Sequence, residues 1–317
     1  MKVLLLGGTK FLGRAIADAA LEGGHELTLF NRGRTNPELF AEAEKLQGDR
    51  DGELSALAGR RWDSVIDTSG YVPRVVRGSA ELLQDSGHYT FVSSCSVYAS
   101  FGEPATEASL VATVEDASTE DVEGHYGALK ALCEAVIEEA FPGRALHIRA
   151  GLIVGPHDPT GRFTYWPHRL ARGGELLVPG APERSVQLID VRDLANWILR
   201  SAEGRLNGVF NAMSPPFPMR DLLEACAGEV RPTYVDERWL VEQGVGQWQE
   251  LPLWVDTADP DWRCFMESDS TAAVAAGLRF RPLEETARGA LEGAELVDGV
   301  GLTPEREAQL LADWHGQ

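Results

Sequence analysis

The sequence predicts an α/β fold: a doubly wound parallel sheet followed by a smaller C-terminal lobe. In the first half of the chain, short apolar runs alternate with amphipathic segments that have helical spacing. Strands separated by helices in this way form parallel sheets with right-handed crossovers. A glycine-rich turn also joins the first predicted strand to the first predicted helix. After about residue 156 the pattern becomes irregular and rich in Pro, Gly and Trp, which predicts the second lobe.

The elements of the first half are predicted in chain order from their apolar patterns. Residues 3–6 form a continuous apolar run, which is typical of a parallel strand buried on both faces. Residues 12–21 are predicted as a helix that ends at Gly23-Gly24. Residues 100–124 carry no Lys or Arg and are predicted as a surface loop. The other predicted elements are strands at 27–30, 62–67, 88–92 and 147–154 and helices at 74–84 and 126–140.

The segment Gly7-Gly8-Thr9-Lys10-Phe11-Leu12-Gly13 follows the first strand and opens the first helix. A helix N-terminus offers free N–H groups and a positive dipole end to a pyrophosphate. Glycines there permit a tight turn and close contact between helix and sheet. This position in the chain predicts a Rossmann-type dinucleotide site. The predicted contacts to the cofactor from this segment are Gly7, Thr9, Lys10, Phe11, Leu12 and Gly13.

The dinucleotide site leads to a domain assignment. Residues 1–155 are predicted as the dinucleotide-binding Rossmann domain, and residues 186–212 are predicted to return to it. Residues 156–185 and 213–317 are predicted to form the substrate-binding lobe.

The end of the second predicted strand favours NADP(H) over NAD(H). An NAD-binding site has a carboxylate here that binds the ribose hydroxyls, whereas this chain has Asn31, Arg32 and Arg34. Guanidinium groups would pair with an adenosine 2′-phosphate, and Lys10 could reach it as well. Three further residues are predicted to contact the cofactor after later strands: Asp49 at the adenine, and Ser69 and Gly70 beside the dinucleotide.

Composition excludes several other classes of protein. The formal net charge of −20 argues against a nucleic-acid or anionic-membrane partner, which requires clustered Lys and Arg. No apolar run approaches the ~20 residues of a membrane helix. Four widely spaced cysteines lack the spacing of a zinc site or a disulfide framework. We therefore expect a cytoplasmic protein with reduced thiols and no bound metal.

The chemistry is predicted to lie on the helix at 126–140. Tyr126 and Lys130 are four residues apart and project from one face of that helix. An ammonium near a phenol is expected to lower the phenol pKa from about 10 towards neutral pH. Such a phenol can protonate a carbonyl oxygen as a hydride arrives, or deprotonate an alcohol as a hydride leaves. Tyr126 and Lys130 are also predicted to contact the cofactor.

Together, the glycine segment, Ser93-Ser94-Cys95-Ser96-Val97-Tyr98, the Tyr126/Lys130 pair and the segment 188–193 resemble an extended short-chain dehydrogenase/reductase. More narrowly they resemble the NAD-dependent epimerase/dehydratase family. The resemblance implies that Ser94 orients the substrate oxygen and that Tyr126 is the acid/base. It implies that Lys130 is the electrostatic partner of Tyr126. It also implies a homodimer formed by the Tyr–Lys helix and the helix before it.

Some features depart from the nucleotide-sugar members of that family. Cys95-Ser96 stands where the dehydratases have Asp-Glu, and Val186 stands where UDP-sugar epimerases have an Arg for the nucleotide phosphate. The basic residue in the glycine segment also resembles plastid RNA-binding relatives of the family. The acidic balance of the chain speaks against RNA binding.

Candidate substrate contacts follow the strand at 147–154, at the edge of the sheet where ligands bind in open α/β folds. They are Ser96, His157, Arg162 and Trp166. The tryptophans between 239 and 262 are predicted to pack in the core of the lobe rather than around a ligand.

The sequence thus predicts an NADP(H)-dependent oxidoreductase that acts on a carbonyl or alcohol group of a small organic molecule. Two alternatives stay open. One is an NAD-dependent epimerase with tightly bound cofactor. The other is a non-catalytic regulator that senses NADP.

Overall fold

A computed structural model describes residues 1–226, 228–292 and 297–316. Its strands are β1 Lys2–Leu6, β2 Glu26–Asn31, β3 Glu44–Gln47, β4 Ser64–Asp67, β5 Tyr89–Ser94, β6 Ala145–Ala150, β7 Ile153–Val154, β8 Gly174–Pro179, β9 Ser185–Val186, β10 Ile189–Asp190, β11 Gly208–Ala212, β12 Phe217–Pro218 and β13 Val230–Val235. Its α-helices are α1 Phe11–Glu22, α2 Pro73–Leu83, α3 Val122–Ala140, α4 Tyr165–Ala171, α5 Val191–Glu203, α6 Met219–Ala225, α7 Glu237–Glu242, α8 Thr271–Ala275, α9 Leu283–Gly289 and α10 Pro304–His315.

A parallel seven-stranded sheet in the order β11-β6-β5-β4-β1-β2-β3 forms the centre of the molecule. The chain reverses its direction of winding between β1 and β4, as in doubly wound folds. The carboxyl ends of these two strands therefore lie beside an open crevice. The predicted fold class is confirmed.

Helices cover both faces of this sheet, and each face has its own apolar core. On one face, Ile16 and Ala20 of α1 pack in the same cluster as Trp197 and Ile198 of α5. On the other face, Val76 of α2 packs with residues of α3 against Leu4, Tyr89 and Phe91 of the sheet. Strands covered on both faces contain continuous apolar runs, which is why residues 3–6 predicted β1.

The C-terminal lobe has a separate core around β8 and β13, which pair in parallel. Trp166 and Trp254 are fully buried in it. Arg169 of α4 donates to the Glu307 carboxylate of α10 at 2.6 Å inside this lobe. None of the described helices is long and apolar enough to span a bilayer.

Two predicted elements differ in their bounds. The strand predicted at 147–154 is divided into β6 and β7, because the chain leaves the main sheet after Ala150 and β7 pairs with β10 instead. The helix predicted from Tyr126 begins earlier, at Val122, but His125 within α3 has non-helical dihedral angles (φ −134°, ψ 27°). The regular helix that carries the Tyr–Lys pair therefore starts next to Tyr126.

Candidate functional site

The glycine turn after β1 has a shape that larger residues would not allow. Gly7 and Gly8 have φ values of 113° and 103°, which side chains rarely adopt. A Cβ atom on Gly13 would lie 2.8 Å from the backbone nitrogen of Gly8, so the first turn of α1 touches the glycine turn itself. This contact brings the N-terminus of α1 to the carboxyl edge of the sheet.

Two asparagine side chains hold the turn in place. Asn31 Nδ2 donates to the Gly7 carbonyl oxygen at 2.9 Å, and Asn36 Nδ2 donates to the Thr9 carbonyl oxygen at 2.9 Å. The carbonyl groups of Gly7 and Thr9 are thus satisfied, and the Gly7 N–H donates to the Phe30 carbonyl oxygen at 3.0 Å. No side chain caps α1 and its first turn contains no acidic residue. A turn and helix N-terminus of this kind fit the pyrophosphate of a dinucleotide.

A groove of about 530 Å³ runs from this turn across the ends of β4 and β5, and we call it the cofactor groove. Its lining includes the whole segment from Gly7 to Gly13, and no Asp or Glu is part of the described lining. The polar and charged side chains along it are Thr9, Lys10, Arg32, Thr35, Thr68, Ser69, Ser93, Ser94, Tyr126 and Lys130.

Three predicted cofactor residues lie outside the lining of this groove. Asn31 holds the turn with its Nδ2 and accepts from the Gly33 N–H with its Oδ1, so both ends of its amide group are engaged. Gly70 contributes its carbonyl oxygen to Lys130. Asp49 accepts a hydrogen bond from the Asp51 N–H in its own turn. Its contact with adenine stays a prediction.

Phe11 is shared by three neighbouring spaces in this region. Its ring lines the cofactor groove, the neighbouring cleft and an outer cavity beside α1 and α5. Its backbone has φ +42°, in the left-handed region that costs free energy for a residue with a side chain.

Gly127 determines how closely α3 approaches the segment after β5. A Cβ atom at this position would clash with the carbonyl oxygen of Ser96. The absence of a side chain allows α3 to lie directly on the short 3-10 turn Cys95–Val97, which brings Tyr126 beside Ser94 at the groove. Tyr126 and Lys130 were predicted from their spacing, whereas the importance of the glycine between them was not predicted.

The Lys130 ammonium is almost fully buried beneath the groove, with 3% of the residue exposed. Its Nζ donates to the carbonyl oxygens of Gly70 at 2.8 Å and Val92 at 2.7 Å. It also lies 4.0 Å from the centre of the Phe91 ring. Burial lowers the pKa of Lys130 to about 8, and the carboxylate of Asp67 opposes this shift.

Tyr126 is 37% exposed, and its ring centre is 6.4 Å from that of Tyr71. Partial desolvation, together with the Tyr71 phenol, raises the pKa of Tyr126 to about 12, while the Ser94 hydroxyl acts in the opposite direction. The expected lowering of this pKa by Lys130 is therefore wrong for the ligand-free protein. The reason is that Lys130 donates to two backbone carbonyls instead of the phenol.

A cleft of about 860 Å³, which we call the aromatic cleft, opens from the groove towards the C-terminal lobe. Ser94, Tyr126 and Phe11 line both spaces. Ser96 lies in the cleft, and its N–H and hydroxyl are each 3.1 Å from the Ser94 hydroxyl oxygen. The remaining walls include Arg162 and the aromatic side chains Tyr71, Tyr98, Phe101, Trp248, Trp262 and Phe265.

Segment 259–266 of the C-terminal lobe closes one side of this cleft. The Phe101 N–H donates to the Asp261 carbonyl oxygen at 2.7 Å, and the Cys264 N–H donates to the Phe101 carbonyl oxygen at 2.8 Å. Phe101 and Trp262 stack with ring centres 5.8 Å apart and planes at 23°. The prediction that the tryptophans only pack in the core is thus wrong for Trp248 and Trp262, which line the cleft.

Two predicted substrate contacts lie elsewhere. Trp166 has no exposed surface and belongs to the core of the lobe, so the prediction that it contacts a substrate is wrong. The short helix α4 directs its indole into that core. His157 lines the outer cavity, of about 370 Å³, with Arg14 and Arg192 and is absent from the described lining of the cleft.

The described residues contain no group of three or more His, Cys, Asp or Glu side chains that could hold a metal ion. All four cysteines are free thiols. Cys95 adjoins the site, but burial raises its pKa to about 11, so the thiol stays protonated at neutral pH.

Comparison with known proteins decides the family. The model of the NAD-dependent epimerase/dehydratase family matches residues 3–212, which include the groove, Ser94, Tyr126 and Lys130. The chain belongs to the NAD-dependent epimerase/dehydratase family. Members of this family are enzymes of the short-chain dehydrogenase/reductase type that use a pyridine nucleotide, and the resemblance seen in the sequence is confirmed.

A curated relative of the chain is the chloroplast stem-loop binding protein of 41 kDa b from Arabidopsis thaliana, 27% identical over 248 residues. The match covers 71% of this chain and 62% of that protein, less than two thirds of the relative's length.

Solved structures of other proteins share the fold. UDP-glucuronic acid 4-epimerase from Bacillus cereus, in complex with NAD, is 14% identical with a TM-score of 0.62, over 92% of this chain and 95% of that chain. The enzyme WbmH from Bordetella bronchiseptica, in complex with NAD⁺, is 16% identical with a TM-score of 0.61, over 92% and 97%.

Proposed function

We propose that this family member transfers a hydride between NADP(H) and a carbonyl or alcohol carbon of a small organic substrate. The observation that carries the proposal is the meeting of two spaces at one wall: Ser94 and Tyr126 line both the cofactor groove and the aromatic cleft. A substrate in the cleft would thus have the phenol of Tyr126 beside it, next to the groove that fits a dinucleotide.

Each side chain at this wall has a chemical task. The nicotinamide, when bound, supplies or accepts the hydride. The raised pKa keeps Tyr126 protonated at neutral pH, so its phenol donates a proton to a carbonyl oxygen in the reductive direction. The Ser94 hydroxyl orients that oxygen. The Lys130 ammonium, fixed by two carbonyl oxygens, contributes a positive charge beneath the groove.

The preference for NADP(H) rests on the charges along the groove. Lys10 and Arg32 line it, and its described lining has no carboxylate. A 2′-phosphate would be attracted to these cations and repelled by an acidic residue at the same place. Asn31, at the position where NAD enzymes have an acid, is neutral and is engaged by the glycine turn.

The second candidate is an epimerase that retains NAD and returns the hydride to the same substrate. The comparisons favour this alternative, since the two solved structures described above contain NAD and one of them is named as an epimerase. The same Ser94, Tyr126 and Lys130 would serve it.

Titration of the purified protein with NADPH and NADH tests the cofactor proposal, with nicotinamide fluorescence as the measurement. We expect saturable binding of both and tighter binding of NADPH. Cofactor released from denatured protein is then identified. Recovery of stoichiometric NAD(H) would favour the epimerase, and absence of binding by either nucleotide would refute both candidates.

Three further expectations stay predictions. They are a homodimer through α2 and α3, a cytoplasmic location, and the absence of nucleic-acid and membrane partners.

A further inference from the structure

We propose that Arg162 binds an oxyanion of the substrate, a carboxylate or a phosphate, and that the substrate is a planar aromatic compound carrying this group. The inference rests on the proposed function, because it assigns a substrate class to the cleft beside Tyr126. Its starting point is the unusual surroundings of this arginine.

Arginines with buried side chains elsewhere in the described structure have a carboxylate partner. A buried guanidinium without a counter-charge is costly, because desolvation is not offset by attraction or hydrogen bonds. Four side chains that are at most 10% exposed satisfy this rule. The pairs are Arg50–Asp67 at 2.6 Å, Arg149–Glu134 at 2.8 Å, Arg169–Glu307 at 2.6 Å and Arg184–Glu237 at 2.6 Å.

Arg162 is only partly buried, yet within the described structure it lacks such a carboxylate partner. Its Nε atom is buried and has no hydrogen-bond partner among the described residues, where its guanidinium also forms no ion pair. Asp158 is the carboxylate that attracts it, but that carboxylate accepts hydrogen bonds from the N–H and hydroxyl of Thr160, at 2.8 and 3.1 Å. Burial lowers the pKa of Arg162, which reflects the same lack of compensation. A ligand anion would supply the missing partner.

The surroundings of Arg162 indicate the rest of the ligand. Its guanidinium lies 5.6 Å from the centre of the Trp248 ring. Trp248 contacts Phe265 edge to face at 5.2 Å, and Phe265 in turn contacts Trp262 at 5.3 Å. Flat side chains of this kind bind a planar ring by stacking and edge contacts. The Asp261 carboxylate also lines the cleft and accepts a hydrogen bond from the Ser100 hydroxyl at 2.9 Å, so the cleft does have an acid, but one that is already engaged. The guanidinium of Arg162, unpaired within the part of the chain that the structure describes, lies beside an aromatic wall and fits an aromatic acid or phosphate.

The test measures binding by calorimetry with 2-naphthoate, 2-naphthyl phosphate and the neutral 2-naphthamide, each with and without NADPH. We expect the wild-type protein to bind one or both anions at least about tenfold more tightly than the amide, as for a charge-assisted hydrogen bond. The Arg162→Gln variant should lose this preference, and Arg162→Lys should keep part of it because the charge remains. Arg238→Gln, which removes an exposed arginine of the same lobe, should leave it unchanged.

The tighter of the two anions distinguishes a carboxylate from a phosphate ligand. Equal affinity for the anions and the amide would overturn the proposal, as would an unchanged preference in Arg162→Gln or no binding of any probe. Unfolding curves of the variants report whether they are folded. Anion binding that depends on Arg162 in a protein that binds neither NADPH nor NADH would refute the proposed function and leave the anion site standing.

Discussion

The cofactor groove and the aromatic cleft share a wall but are built in opposite ways. The centre of the groove is one continuous segment, 7–13, which contains three glycines. The cleft is lined by side chains from segments as distant as Ser94 and Phe265, and its walls are aromatic. The groove fits a ligand mainly through main-chain geometry, whereas the shape and charges of side chains determine which ligand the cleft fits.

This difference explains why the family match includes the segment that forms the groove, whereas the substrate has to be inferred from the side chains of the cleft. A main-chain site depends on a few glycines at fixed spacing, and any chain that has them can hold the same dinucleotide. A side-chain site changes with every substitution.

The largest effect is expected for Tyr126→Phe, which removes the hydroxyl shared by both spaces. Loss of a general acid lowers kcat by about 10²–10⁴-fold, whereas cofactor affinity should change little because the ring remains. Steady-state rates with a responsive carbonyl substrate and NADPH titration measure the two quantities. An active Tyr126→Phe variant would show that the phenol is not the proton donor.

Lys130 is expected to make stability depend on pH. Its folded pKa of about 8 lies below the ordinary value of 10.5, so between these pH values the unfolded chain binds a proton that the folded chain does not. The free energy of unfolding of the wild type should therefore rise with pH in this window, by up to about 1.4 kcal/mol per pH unit relative to Lys130→Met.

Urea unfolding of ligand-free protein from pH 7 to 10.5 provides this measurement. Lys45→Met, which removes an exposed ammonium, should retain the wild-type slope. Parallel pH profiles for the wild type and Lys130→Met would contradict the prediction.

Gly127→Ala should destabilise the protein by about 1–3 kcal/mol, since a methyl group there meets the backbone of Ser96. Gly78→Ala in α2 is a matched control: its nearest neighbour would be 3.8 Å away, and alanine favours a helix by up to about 1 kcal/mol over glycine. Denaturant midpoints should shift in opposite directions. A neutral Gly127→Ala would mean that α3 can withdraw from the turn without cost.

Arg32→Ser tests the groove alone and is the smallest expected effect. NADPH affinity should fall about tenfold, as for one charged contact, with NADH affinity nearly unchanged. Fluorescence titration of both nucleotides measures the ratio. Equal losses for NADPH and NADH would indicate that Arg32 does not discriminate the 2′-phosphate.

The difference between a site formed by one segment and a site formed by distant segments also determines how much the sequence could predict. The glycine turn and the Tyr126/Lys130 pair could be predicted because both follow from local spacing on a turn or a helix, and Ser94 was predicted from the family resemblance. Trp166 was predicted incorrectly, since its direction depends on how α4 meets the lobe core. Gly127 could have been suspected from its position between Tyr126 and Lys130. Trp262 stacks on Phe101 and Trp248 lies against Arg162, more than 80 positions away in each case, and no local pattern encodes such contacts.

The single ring of Phe11 borders three separate spaces on a strained backbone. Replacing it by glycine would relieve a torsional cost of roughly 1–3 kcal/mol and would remove a side chain that all three spaces share. The chain thus keeps an aromatic side chain here at the cost of backbone strain.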